Sequence, residues 1–462
     1  MSRAPRNVLL LTIDSLRYDY SSYLISRICS KFEGFSLCAY SNGPGTTQSF
    51  PSIMSSTSFL VHGGLRLRYG IPCLSEVLGR YGYHTVGFNT NPFLSKLFGW
   101  NRGFKEYYDL FYYSPFKEKV EEREKESSVR RAVGFAKNIL KRNRWLRDLA
   151  WSLKFRLKGL QLPYVEARKL NSYVLKWIEE KYSSDRKVFL WIHYMDTHFP
   201  YVPPEEYLSD IGFSSREEAY FANYAEKLEK VSGEKLRRLM KLYSACVRYV
   251  TDSIIELLEK LEDIGFLENS LIVIASDHGE AFKEHGKYGH EYYILYNEVL
   301  RVPLVLSRSS VEDMSLESCV VQLVDLAPTI VDLVGGSSPP TFKGKSLRNL
   351  ANEQNAFRPV FAESAFPDLE NLRYDISRYA VSVIYGSWKL ICSRLCRVER
   401  LELYNLDKDP LEKRNVVEEH RDVAEELLEL IHRHLKEVYS LRKFSERLAT
   451  VKRTFRKLSE KS

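Results

Sequence analysis

No apolar run in this chain of 462 residues approaches the roughly 20 residues that a helix needs to cross a bilayer. Runs such as Val8 to Ile13 stop far short, which argues against helical membrane spans. Cysteine is scarce and scattered: seven residues, at positions 29, 38, 73, 246, 319, 392 and 396, with no metal-finger spacing. The odd number argues against a disulfide-stapled scaffold and points to reduced thiols, with Cys392 and Cys396 alone spaced to face each other across a hairpin. Low-complexity tracts and internal repeats are also missing, so solenoid and collagen-like architectures drop out. What remains, 44% hydrophobic and 28% charged residues, can build one large globular domain with a smaller companion.

The charge balance is mildly positive, 68 basic against 60 acidic side chains giving +8, and it is uneven. From Arg130 to Lys158 ten Lys or Arg face one acid, Asp148. Trp145, Leu146, Leu149, Ala150, Leu153 and Leu157 recur there at three- and four-residue spacing, the pattern of a basic amphipathic helix. Such a helix either packs on a sheet with its basic face solvated or meets an anionic membrane surface or polyanionic substrate. A weaker basic stretch runs from Arg442 to Lys461. No motif calls for a nucleic-acid partner, and the oligomeric state is not legible.

Strand-like runs alternate with helical patterns from Asn7 to Val334, which predicts an α/β/α sandwich with a mostly parallel sheet. Extended segments are expected near Phe35 to Tyr40 and Thr85 to Phe88, a helix after Pro51, another ending near Tyr81, and a long helix from about Lys235 to Leu261. Charged helical sequence at about 110–185 reads as an insertion or lid. Val302 to Leu306 is a strand apolar throughout, with Pro303 placing its start near an edge or a bend. Beyond Gly335-Gly336 short alternating runs, Tyr379 to Ile384 and Trp388 to Cys392, predict a small antiparallel C-terminal subdomain with one helix at 418–439. The expected organisation is 1–340, 341–440 and a basic tail at 441–462.

Two strand ends carry the candidate chemistry. Leu271 to Ile274 leads into Asp277-His278, and Asn7 to Ile13 leads into Asp14. Parallel sheets place ligands beyond the carboxyl ends of their strands. A carboxylate and an imidazole together suit a divalent transition metal, each being a ligand once deprotonated. Either strand-end Asp alone would read as a turn cap; the two together point to a shared ion. His193, Asp196 and His198 follow a third strand within WIHYMDTHFPYVPP, and the bland reading of His193 is a side chain packed beside its strand.

With LLTIDSLRYDY, GPGTTQSFPSIMSS, WIHYMDTHFPYVPP, SDHGEAFKEHGKYGHE, NEVLRVPLVL, VQLVDLAPTIVDLVG and ELYNLDKDPLEKRNVV in that order, the chain resembles the sulfatase branch of the alkaline phosphatase superfamily over most of its length. The resemblance implies the alkaline phosphatase-like fold, one divalent metal ion (Mn, Zn, Ca or Mg, with a transition metal favoured) held by Asp14, Asp277 and His278, and a hydroxyl nucleophile. Two registers compete for that hydroxyl. The pattern Cys/Ser-x-Pro-Ser-x selects Ser49, but Ile53 stands where the family's Arg belongs, so conversion to formylglycine is not implied and an unmodified alcohol is. The pattern Thr-x-x-Ser-x-Pro of lipid-head-group phosphotransferases, whose Asp-His metal pair this chain shares, selects Thr46. Ser49 is placed slightly ahead of Thr46, with Thr47 third.

Such an alcohol needs a metal or base to become a nucleophile, and a helix N-terminus would stabilise the anion it attacks. The competing role of Thr46, Thr47 and Ser49 is plain helix capping. The resemblance sets His198 against the anionic group or leaving group and His290 against the leaving-group oxygen. Asp196 with His198 could instead hold a second metal, a spacing that matches two-metal relatives poorly. Glu280 is expected to buttress the metal loop, Arg17 to pair with Asp19, Lys389 to be structural, and His285 to lie behind the site or on the surface.

The function expected from the resemblance is a metal-dependent, sulfatase-like hydrolase of sulfate or phosphate/phosphonate esters acting through a covalent Ser/Thr intermediate on a small or lipid-linked anionic ester. The alternatives are a phosphoryl head-group transferase and a non-catalytic anion- or membrane-binding protein. Because Asp14 already belongs to the site and no signal-like stretch precedes it, the expected location is the cytoplasm, peripheral to a membrane at most.

Overall fold

The computed structural model describes residues 4–63, 65–112, 162–224, 230–307, 316, 319–352, 358–368, 373–394 and 399–459. The basic helix expected at Arg130–Lys158 lies outside the described residues, as does Cys396. Strands β1 (Asn7–Ile13), β2 (Gly34–Tyr40), β3 (His84–Asn89), β4 (Glu106–Asp109), β5 (Val188–Tyr194) and β6 (Ser270–Ser276) belong to one sheet. A short hairpin, β7 (Ala281–Phe282) and β8 (Tyr288–Gly289), follows β6 before β9 (Arg301–Ser307) and β10 (Val321–Gln322) return to the main sheet. The eight strands lie in the order β10-β2-β9-β6-β1-β5-β3-β4, parallel except at β9, which is antiparallel to both neighbours.

Every residue of β1, β5 and β6 is buried because both faces of the sheet are covered, which is why these strands read as continuous apolar runs. Val8, Leu10, Phe189, Trp191, Leu271 and Val273 enter one core with helices α2 (Thr46–Ser55), Leu74–Arg80 and Leu326–Leu333. Leu9, Leu11, Leu190, Ile192, Ile272 and Ile274 enter the other with α1 (Ser22–Phe32), Ala167–Lys181 and Gly233–Asp263. The α/β/α sandwich expected from the sequence is the observed fold. Helix Ala167–Lys181, inside the stretch read as an insertion, buries Leu170, Val174 and Trp177 and is part of the core.

β9 is an interior strand whose ladder with β6 begins only at Leu304, so its start at Pro303 is paired on the β2 side alone, the edge-like position expected of that proline. Two local expectations are corrected. The helix expected after Pro51 begins at Thr46, capped by the extended Gly45, and contains Pro51; burial of every residue of α2 offsets the one backbone bond that proline forfeits. The helix expected at 418–439 runs from Arg421 to Ser459, because neither Gly nor Pro interrupts the sequence that was read as a separate tail.

The C-terminal sheet is antiparallel, β11 (Val360–Asp368), β12 (Arg373–Tyr385), β13 (Trp388–Arg394) and β14 (Glu399–Asn405) in sequence order. Val381, Val383, Leu390 and Leu403 share one core with Leu427 and Ile431 of the final helix and with Phe59 and Leu60 of the main domain. Lys389 Nζ lies 2.5 Å from Glu412 Oε1, both side chains fully buried, and Glu412 Oε2 accepts the Asn297 amide at 2.6 Å. Removing one partner leaves an uncompensated buried charge, so Lys389→Met is expected to cost about 3–5 kcal/mol in denaturant unfolding, only part of it recovered by adding Glu412→Leu, which leaves the Asn297 amide without its acceptor.

His62 supplies a pH dependence. Its Nδ1 accepts the Arg68 amide at 2.9 Å, and its Nε2 pairs with Thr57 Oγ1 at 2.8 Å. Burial first, then Arg102 and Arg68, push its pKa down to about 3. The unfolded chain takes up this proton near the ordinary histidine value and the folded chain does not, so folding loses stability as pH falls from about 6.5 toward 3, about 2 kcal/mol of it by pH 5. His62→Gln is expected to flatten that part of the stability profile, measured by urea unfolding across pH.

Candidate active site

The parallel strands bring their carboxyl ends to one edge of the sheet, and the candidate residues gather there. Asp14 follows β1, Asp277 and His278 follow β6, His193 is the penultimate residue of β5, and Asn91 follows β3. His193 is in register with Thr12 of β1 and Asn89 of β3. After β2 the chain turns through Gly43 and Gly45 into α2, which presents Thr46 at its first turn. Asp14, His193, Asp277 and His278 have no solvent exposure.

Asp14 Oδ2 accepts Asn91 Nδ2 at 2.9 Å and the Thr46 hydroxyl at 3.1 Å, while its Oδ1 accepts Ser15 Oγ at 2.7 Å. Asp277 Oδ1 accepts the backbone amides of Ser15 and His278 at 3.1 and 2.9 Å. Among the described residues the other oxygen, Asp277 Oδ2, has no hydrogen-bond partner, and neither does His193 Nε2, which lies 3.4 Å from Asp14 Oδ2. A ligand atom from each of Asp14, His193 and Asp277 lies within 4.8 Å of the others.

His278 Nδ1 donates to the Gly279 carbonyl at 2.8 Å, so its Nε2 carries the lone pair. That atom is 3.5 Å from Asp277 Oδ2, 3.7 Å from Asp14 Oδ1 and 3.4 Å from Thr46 Oγ1. Burial, then the Asp14 carboxylate, push the Asp277 carboxyl up to about 7. Against burial, the imidazoles of His198, His193 and His278 draw Asp14 well below the ordinary carboxylate range. Burial depresses His278. Two buried carboxylates facing two imidazoles with unpaired ligand atoms fit a divalent cation, which would let both acids ionise together.

A cavity of about 870 Å³ opens over Thr46, lined also by Asn91, Phe93, His198, Phe199, Glu280 and His290. His198 Nδ1 donates to the Phe199 carbonyl at 2.7 Å, and the His198 and His290 rings are 5.1 Å apart. His290 Nδ1 pairs at 3.1 Å with Glu280 Oε1, whose other oxygen accepts Tyr201 Oη at 3.0 Å. Burial, His290, His198 and His278 act on the Glu280 carboxyl, which lies below its ordinary value.

Asp14, Asp277, His278, Thr46, His198 and His290 are therefore neighbours, whereas Ser49 is not among the residues facing the cavity. Its hydroxyl is fully buried one turn deeper in α2, bonded to the Thr46 carbonyl at 3.4 Å. Thr47 Oγ1 is hydrogen-bonded to Tyr374 Oη of β12. His193, expected to pack or hydrogen-bond beside its strand, pairs through Nδ1 with Thr12 Oγ1 at 2.9 Å, and its Nε2 also faces Asp14; the signal for this second contact was its position one residue before the end of a strand adjacent to β1. Asn91 was missed, its cue being the Asn-Thr-Asn-Pro turn at the end of β3. Asp196 is occupied elsewhere, accepting the Ala167 amide at 3.1 Å, and burial pushes its carboxyl up to about 8. Arg17 binds Asp19 at 2.7 Å, and His285 spans Glu298 at 2.7 Å and the Glu412 carbonyl at 2.9 Å.

The family model described as Sulfatase matches residues 6–336. The chain belongs to the sulfatase family. A second model, N-sulphoglucosamine sulphohydrolase, C-terminal, matches residues 283–440. Among curated relatives, N-acetylglucosamine-6-O-sulfatase of Bacteroides thetaiotaomicron is 29% identical over 43% of this chain and 36% of its own length. Choline-sulfatase of Rhizobium meliloti is 29% identical over 41% and 35%. Arylsulfatase K of Mus musculus is 26% identical over 61% of this chain and 49% of its own length. The chain thus spans about a third to a half of the length of these relatives.

Solved structures show the fold over a wider span. One, in complex with its substrate D-glucosamine-2-N,6-O-disulfate, superposes with a TM-score of 0.68 at 17% identity, covering 95% of this chain and 99% of that one. Phosphonate monoester hydrolase of Agrobacterium radiobacter superposes with a TM-score of 0.64 at 17% identity, covering 93% and 96%. Among the described residues no helix is long and apolar enough to cross a membrane.

Proposed function

We propose that this chain is a metal-dependent hydrolase of anionic sulfate, phosphate or phosphonate esters, with Thr46 as nucleophile. The observation that carries the reading is the Thr46 hydroxyl, at the first turn of α2, 3.1 Å from Asp14 and 3.4 Å from His278 Nε2. Asp14, Asp277, His278 and His193 would hold one divalent ion, and their two-nitrogen, two-carboxylate character favours zinc or manganese over calcium. Such an ion supplies Lewis acidity toward a non-bridging oxygen and lowers the pKa of a neighbouring alcohol.

The residues of the chain supply the rest. Thr46 Oγ1, held by its hydrogen bond to Asp14 Oδ2, loses its proton to solvent and attacks the sulfur or phosphorus. The amides of the first turn of α2 and the Asn91 side chain stabilise the charge on the transferred group. The bond to the leaving oxygen breaks as His290, oriented by Glu280, donates a proton, with His198 beside it. Water then attacks the Thr46 ester and gives its proton to His290, restoring the acid, while the departing Thr46 oxygen takes a proton back from solvent and the inorganic anion is released.

Metal analysis of the purified chain, followed by assays with an aryl sulfate, a phosphodiester and a phosphonate monoester, tests this reading. One equivalent of a transition metal and turnover of at least one ester, lost on chelation and restored by metal, is the expected outcome. Chelator-insensitive turnover, or none with all three esters, refutes it.

A further inference from the structure

We infer that the chain has a second small-molecule site, remote from the candidate active site, for a zwitterion with an apolar body: an apolar α-amino acid. The site is a cavity of about 280 Å³ at the seam where the main domain, the small sheet and the final helix (Arg421–Ser459) meet. It shares no lining residue with the cavity over Thr46. Its volume, the room of roughly nine waters at ~30 Å³ each, falls just below the range of drug-sized pockets and suits one small organic molecule rather than a sugar chain or a peptide segment.

The polar groups of the interior are matched to one another. Glu363 Oε2 accepts the Leu60 amide at 2.9 Å, and its Oε1 pairs with His434 Nε2 at 2.5 Å. The His434 ring is stacked on Phe361 with centroids 3.9 Å apart. Arg358 Nη1 donates to Asp325 Oδ1 at 2.8 Å, and its Nη2 donates to the Val320 carbonyl at 2.8 Å. Asn42 Nδ2 donates to Gln322 Oε1 at 3.0 Å and to the Phe361 carbonyl at 2.8 Å. With these donors and acceptors engaged, the interior offers an occupant the apolar surface of Val61, Val438 and Leu441.

The mouth differs. Lys343 and Glu437 are exposed lining residues, on the main domain and on the final helix. Among the described residues neither side chain is in an ion pair or a hydrogen bond, with the other or with any third group, whereas Lys345 beside them has a partner. One uncommitted ammonium and one uncommitted carboxylate above an apolar interior complement a carboxylate and an ammonium carried on one short apolar body. An anion without the ammonium would meet Glu437 as a like charge, and a cation without the carboxylate would meet Lys343. Ser52 of α2 and Asn42, just before the turn through Gly43 and Gly45, also line the cavity, so an occupant braces the segment that opens with Thr46.

Calorimetry on the full chain with L-leucine, isovalerate and isoamylamine tests the site without reference to ester turnover. The expected result is one leucine bound per chain, with isovalerate and isoamylamine, which carry one charge each, binding at least fivefold more weakly. Lys343→Gln and Glu437→Gln are each expected to weaken leucine at least fivefold. Lys343→Gln should weaken isovalerate and leave isoamylamine unchanged, and Glu437→Gln should do the reverse. Leucine should also raise the melting temperature of the wild type and do so less in either variant. No binding of leucine at millimolar concentration, binding that neither substitution alters, or equal affinity for leucine and a singly charged relative overturns the proposal. Both substitutions are at exposed positions, and urea unfolding at the wild-type midpoint confirms that the fold is retained.

Discussion

Thr46→Ala is expected to lower kcat by about four to six orders of magnitude on any ester the wild type turns over, the scale seen when a covalent nucleophile is removed. Ser49→Ala is expected to leave kcat within tenfold. The contrast follows from depth in α2. Thr46 opens the helix, beside the cavity and in hydrogen-bond reach of Asp14, whereas the Ser49 hydroxyl is fully buried and spent on the Thr46 carbonyl. Thr46→Ser keeps an alcohol at the same place and is expected to retain measurable turnover. Stopped-flow kinetics would separate the first chemical step from release, and intact mass of quenched enzyme would show the adduct on wild type and not on Thr46→Ala. Full activity of Thr46→Ala with loss in Ser49→Ala would reverse the assignment.

Asp277→Asn is expected to act in opposite directions on metal affinity and on the metal-free fold. An asparagine retains the oxygen that accepts the Ser15 and His278 amides and replaces the unpartnered Oδ2 by an NH₂ group facing Asp14 and His193. Loss of a carboxylate ligand should weaken binding of the divalent ion by more than the roughly 100-fold typical of outer-shell changes. Relief of a buried, unpaired oxygen beside a second carboxylate should stabilise the metal-free chain by about 1–3 kcal/mol. Thermal melts with chelator and with added zinc or manganese read both effects: the variant melts higher than wild type without metal and gains less from adding it. A variant that melts lower than wild type in chelator would contradict this account of the site.

The layered fold and the two strand-end acids were legible because burial on both faces writes an apolar run and the next residue carries the charge. Asp277-His278 is adjacent in sequence, so no tertiary information was needed to notice it. His193 was not legible as a ligand candidate, since one imidazole in an apolar strand reads the same whether it faces a core or a carboxylate. Only the register that sets it against Thr12 and Asn89 distinguishes the two. Ser49 and Thr46 came from two competing motif registers, and the sequence did not say how deep each hydroxyl lies: α2 begins at Thr46 rather than after Pro51, which sets the threonine at its mouth and Ser49 one turn in. Pro303 was legible in part: it marked the one-sided start of β9 without showing that the rest of the strand is interior.

The contact between Thr47 and Tyr374 carries a consequence for modularity. A strand of the small sheet supplies a side chain to the segment that bears Thr46, the proposed nucleophile, and Glu363 of β11 accepts the Leu60 amide at 2.9 Å just beyond α2. The two units are therefore halves of one reaction vessel, and a chain cut near residue 340 would leave the threonine helix without its outer brace. Swapping C-terminal halves between relatives should fail unless the partner of Thr47 is exchanged with them, so the two halves are bound to change in step over descent.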